Sequence, residues 1–150
     1  NETTDATQPG GGLCLRKHAS GGAPAEQASS AIAQNCIVLG NTAGEASSSN
    51  VFIGTNGTPS VSYSCSPDLT SGTANVTNDP VFVLMGSLYG TNHVAGDYHL
   101  DDGSPCINTG TNQYVTVAID PDGNPRVKYG FVDKGAFEYI SPAGTLFIVH

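Results

Sequence analysis

The segment Asp120-Pro121-Asp122-Gly123-Asn124-Pro125-Arg126 places oxygen-bearing side chains at alternating positions around a glycine. That spacing opens a calcium loop, where carboxylate and amide oxygens converge on a hard cation and glycine supplies the sharp turn. Asp120, Asp122 and Asn124 are the candidate ligands, and calcium is the one cofactor the sequence suggests. Pro125 interrupts the pattern, and Phe131 and Val132 stand where such a loop carries its bidentate glutamate. The competing expectation for the same residues is a β-turn led by Pro121 and closed by Asp-Gly. Arg126 is then expected to pair with a nearby aspartate.

Other residues capable of chemistry do not assemble into a catalytic set. Asp101 and Asp102 are neighbours, and neighbours on a strand point to opposite faces. That geometry does not flank a glycosidic bond as an acid and a base or nucleophile must. His18, His93, His99 and His150 are scattered, and no GxSxG or Ser-His-Asp order occurs. Arg16, Lys17 and His18 form the one basic cluster outside 118–139 and fit a solvated corner. These observations lean away from an enzyme.

Bulk properties narrow the partners. The 150 residues carry five Lys and Arg against thirteen Asp and Glu, a net charge of −8. Nucleic acid binding requires a basic face, so nucleic acid and anionic lipid surfaces are poor partners. No run of 18 apolar residues exists, which argues against membrane insertion by a helix. Charged residues are 12% of the chain and glycine reaches 19. This suits a β-rich, turn-rich protein with a hydroxyl- and amide-covered surface. Cys14, Cys36, Cys65 and Cys106 include no CxxC. They admit either up to two disulfides, in any of three pairings, or four buried thiols.

These residues must be carried by short strands. GLCL (12–15), NCIVLG (35–40), NVFIG (50–54), SVSYSC (60–65), DPVFV (79–83), DYHL (97–100), QYVTVAI (113–119), PRVKYG (125–130), GAFEYI (135–140) and GTLFIVH (144–150) are apolar, β-prone runs bounded by turn formers. The best helical window is 23–33, alanine-rich enough for either a short helix or a loop. Uneven loops between strands and recurrent asparagines at strand ends suggest a solenoid whose insertions leave at its corners.

Three stretches carry a family resemblance: VSYSCSPDLTSGTANVTNDPVFV, GDYHLDDGSPCINTGTN and IDPDGNPRVKYGFVDKGAFEY. Together they resemble the C-terminal part of bacterial choice-of-anchor surface proteins of the pectin-lyase-like superfamily. The matching positions are 79–82, 96–100, 103–110, 120–126 and 132–139. The resemblance implies an all-β, right-handed parallel β-helix. Its coils would fill 1–95 and a closing strand region 96–140, where Asp133 and Glu138 would lie near the rim and satisfy backbone groups. Residues 141–150 would be a linker and the first strand of a further unit, or a strand shared between subunits. Gly144, Leu146, Phe147 and Ile148 are the residues expected to carry self-association. With Asn1 in place of a starting Met, the chain reads as a mature or excised piece of a secreted or cell-surface protein.

The function this implies is a non-catalytic structural or adhesive β-helix module, capable of end-to-end assembly into filaments. The alternative is the C-terminal part of a polysaccharide-active or glycan-binding protein. In that case Tyr63, Tyr89, Tyr98, Tyr114 and Tyr129 would offer stacking surfaces for a polysaccharide.

Overall fold

Extended runs only three to five residues long, bounded by turn-forming residues, make up the strands. In a computed structural model, which describes residues 13–15, 30–41, 50–53, 58–87 and 90–141, the strands are β1 (Leu13–Leu15), β2 (Ser30–Gln34), β3 (Val51–Ile53), β4 (Thr58–Ser62), β5 (Phe82–Leu84) and β6 (Asp97–Leu100). They pair two by two. β1 lies parallel to β3, with Leu13 opposite Val51, and β2 lies parallel to β4, with Ser30 opposite Thr58. β5 and β6 are antiparallel, Phe82 opposite Leu100, with an irregularity before Leu84 meets Asp97. Single parallel bridges join Cys65 to Ile37 and to Val76. Most of the remaining described backbone is turn or irregular, with short 3-10 turns at Gly90–Asn92 and Asn112–Tyr114. Among the described residues no helix is long and apolar enough to cross a membrane.

The right-handed parallel β-helix expected from the sequence is not formed. Among the described residues each sheet has two strands, beyond the paired strands only single bridges at Cys65 link successive segments in parallel, and the last pair is antiparallel. Leu13 to Val51 is a step of 38 residues and Ser30 to Thr58 one of 28, so the parallel pairs share no period. Several expected strands are absent, NCIVLG and PRVKYG for a local reason. NCIVLG contributes one bridge at Ile37, QYVTVAI becomes a 3-10 turn and one bridge at Ile119, and PRVKYG contributes bridges at Pro125 and Lys128. GAFEYI forms no strand. Asn35 and Tyr129 hold positive φ, at 55° and 54°, a conformation that ends an extended run. Part of the alanine-rich window, from Ser30 onward, is extended in β2 rather than helical.

Side chains take over the work of ladders. Asp68 Oδ2 accepts the backbone N–H groups of Asn50 and Val51 at 2.7 and 2.9 Å. Asn35 binds Thr111 on both sides, accepting from its N–H at 2.7 Å and donating to its carbonyl at 2.8 Å. Asn75 accepts from Ser64 N–H and donates to the carbonyls of Val61 and Ser71. Short Asx side chains compete with regular structure in this way, which is why a chain rich in them is mostly turns here. Backbone segments also approach closely. A Cβ on Gly86 would sit 2.9 Å from the Gly96 nitrogen and 2.6 Å from the Tyr98 hydroxyl, so glycine is required just after β5, where the chain passes the start of β6.

The core is small. Cys65, Leu100 and Cys106 are its buried centre, with Ile37, Val76, Phe82, Ile107 and Tyr139 packed around them. Val132, Val51 and Leu69 are also buried, and so are Asp120, Arg126, Asp133, Lys134 and Glu138. Asp133 and Glu138, expected near a rim, are 2% and 4% exposed. The self-association residues Gly144, Leu146, Phe147 and Ile148 lie outside the described residues, as do Arg16, Lys17 and His18.

Candidate functional site

β6 sorts its side chains by strand alternation. Leu100 enters the core, and Tyr98 on the same face stacks edge-on against Phe82 with centroids 5.3 Å apart. Asp97 and His99 therefore share the other face. There His99 Nδ1 contacts Asp97 Oδ1, and His99 Nε2 lies 2.7 Å from Asp122 Oδ2. The ring also leans on Phe137, with centroids 4.1 Å apart and a 39° tilt. An imidazole flanked by two carboxylates can donate to both only as the imidazolium. The bonds from Asp97 and then Asp122 raise the His99 pKa above its ordinary value, against a small opposing effect of burial. The reciprocal bond with His99 holds the Asp97 carboxyl below its usual range.

Asp122 reaches His99 because Asp120 shapes its turn. Asp120 Oδ1 accepts the N–H groups of Asp122 and Asn124 at 3.0 and 2.7 Å. Its Oδ2 accepts the Asn124 side-chain amide at 3.2 Å and the Glu138 N–H at 3.0 Å. Burial disfavours the Asp120 anion, but the donors of Glu138, Asn124 and Asp122 prevail and keep its pKa low. The β-turn reading of this segment matches the geometry, with Gly123 at a φ of 87°. Both oxygens of Asp120 face N–H donors and Asp122 faces His99, so a calcium ion bound by Asp120, Asp122 and Asn124 would have to displace these partners. Among the described residues no group of three or more His, Cys, Asp or Glu is placed to hold a metal ion.

Beneath the turn is a buried ionic network. Arg126 Nη1 lies 2.9 Å from Glu138 Oε1 and donates to the Ala136 carbonyl at 3.1 Å. The partner is a glutamate, not the aspartate expected. Glu138 also accepts the Asp133 N–H, and Asp133 accepts the N–H groups of Asn108 and Tyr139. Burial, then the negative charge of Asp133, pushes the Glu138 pKa up to about 7, with Arg126 pulling the other way.

The surface above is a cleft of about 500 Å³ lined by Asp97, His99, Asp101, Asp102, Asp122 and Asn124, with Val83, Tyr139 and Ile140 supplying apolar wall. Asp101 and Asp102 thus contribute to a site, but as wall carboxylates on a turn. Of the tyrosines proposed for stacking, Tyr98 faces away from His99, Tyr63 is half-buried outside the cleft, Tyr114 and Tyr129 are exposed elsewhere, and Tyr89 has no described position. Tyr139 is the aromatic residue in the cleft. The Asp97–His99–Asp122 cluster escaped sequence reasoning, although Asp-x-His within DYHL carries the period-two signal that puts both residues on one face.

No family model matches the chain, and neither a curated protein nor a solved structure was found to be similar to it.

Proposed function

We propose that the protein is a non-catalytic, adhesive module of a secreted or cell-surface protein, and that it binds a neutral polysaccharide in the cleft around His99. The observation that carries this reading is the ring of carboxylates, Asp97, Asp101, Asp102 and Asp122, around an imidazole that both flanking acids hold in place. Carboxylate and amide oxygens accept hydrogen bonds from sugar hydroxyls, while Tyr139 and Ile140 give apolar surface for the C–H face of a ring. A site of this charge repels uronate, phosphate and nucleic acid.

The same geometry argues against hydrolysis or elimination. Both ring nitrogens of His99 are engaged, the Asp120 oxygens are taken up by N–H donors, and Glu138 is paired with Arg126. None of these three is open to accept a proton from a substrate. A low-charge surface rich in hydroxyls and amides, with few basic residues, suits an extracellular setting. A glycan array probed with the labelled 150-residue protein tests the reading. Binding to neutral glycans that is lost in Asp122→Ala is expected, and silence across the neutral glycans would overturn it.

A further inference from the structure

Cys65 and Cys106 meet in the centre of the core. They are 1% and 0% exposed and pack together with Leu100. The Cys65 thiol reaches the Asn78 carbonyl at 3.3 Å. Cys36 is turned elsewhere, its thiol donating to the Gln34 carbonyl at 3.2 Å. The amine of Lys134, buried and donating to Thr109 Oγ1 at 2.8 Å, adds positive charge beside the two sulfurs. Both are free thiols held in one buried cluster of the folded chain, where a single disulfide would join them.

We infer that Cys65 and Cys106 are a disulfide-forming pair, oxidised to a cystine by a small-molecule disulfide such as oxidised glutathione while the chain folds. The Cys65 thiol gives up its proton and its sulfur attacks one sulfur of the oxidant, forming a mixed disulfide and releasing one glutathione thiol. Cys106 then gives up its proton and attacks Cys65 Sγ, releasing the second. The protein loses two protons and two electrons, and the oxidant takes them up to become two thiols. The exchange precedes closure of the core, since neither sulfur is exposed afterwards. Of the three pairings open to four cysteines, this is the one that links Cys65 to Cys106.

The test is to fold the reduced 150-residue chain in a glutathione redox buffer, alkylate it under denaturing conditions and map its peptides without reduction. A cross-linked peptide joining Cys65 to Cys106 is expected, about 2 Da lighter than the sum of the two thiol peptides. Alkylated Cys65 and Cys106, or either one joined to Cys14 or Cys36, would overturn the inference. The wild-type chain suffices, so the result does not depend on a variant that folds.

Discussion

Arg126 and Glu138 form a buried ion pair, 2.9 Å between Nη1 and Oε1, with side chains 9% and 2% exposed. Removing one partner of such a pair strands the other charge in the core, which costs about 3–5 kcal/mol. Arg126→Met is therefore expected to destabilise the protein by about that amount in urea unfolding at pH 8, where Glu138 is ionised. A loss below about 1 kcal/mol would mean that the pair is hydrated in solution.

Glu138 also sets a slope of stability against pH. Its carboxyl is raised from 4.5 to about 7 in the folded protein. Between those values the folded state keeps a proton that the unfolded chain has released, so stability falls as pH rises. The contribution is complete below pH 4.5 and is lost as pH climbs through about 7, a fall of about 3 kcal/mol. Asp120 acts in the opposite sense. Its lowered pKa contributes stability above 3.8 that is lost as pH falls through the folded value. Unfolding free energies at pH 4.5 and pH 8 should differ less in Glu138→Gln than in the wild type, and equal differences would contradict this assignment.

Asp120 holds its turn through four N–H donors. Asp120→Ala leaves them without an acceptor and is expected to cost about 2–4 kcal/mol, with Asp120→Asn costing less because one oxygen remains. Thermal unfolding with and without calcium separates this role from ligation. An unchanged midpoint is expected, and a calcium-dependent rise lost in Asp122→Asn would place an ion on Asp120, Asp122 and Asn124.

Much of this cluster was legible in the sequence and some was not. The Asp-Pro-Asp-Gly turn follows from residues with strong local preferences, and β1, β3 and β6 coincide with the apolar runs at GLCL, NVFIG and DYHL. The solenoid was not realised because apolar triplets pair only once here, and Asx side chains such as Asp68 and Asn35 take the hydrogen bonds a continuing ladder would use. Arg126 found Glu138 instead of an aspartate because its guanidinium docks on the 136–138 segment, reaching the Ala136 carbonyl as well, a three-dimensional fact with no local signature. The reach from His99 to Asp122 spans 23 residues and depends on where the Asp120 turn docks, so only its Asp97 half was visible in the sequence.

His99 should titrate above its ordinary value of 6.5. Imidazole resonances followed by NMR across pH would show this, and the value should fall back further in Asp97→Ala than in Asp122→Ala, since Asp97 contributes more. As pH rises through the folded pKa, one ring nitrogen becomes an acceptor facing a carboxylate, the cluster loosens, and its contribution to stability, complete below pH 6.5, disappears. A pKa at or below 6.5 would mean that the two carboxylates do not hold the ring.

The most direct test of the cleft is an NMR titration of the isotope-labelled protein with a neutral oligosaccharide selected on the glycan array. The account predicts shifts concentrated at His99, Asp101, Asp102 and Asp122, with Cys65, Cys106 and Val76 on the far side of the core unmoved. Shifts that map instead to the exposed face around Tyr114 and Tyr129, with His99 unchanged, would contradict it.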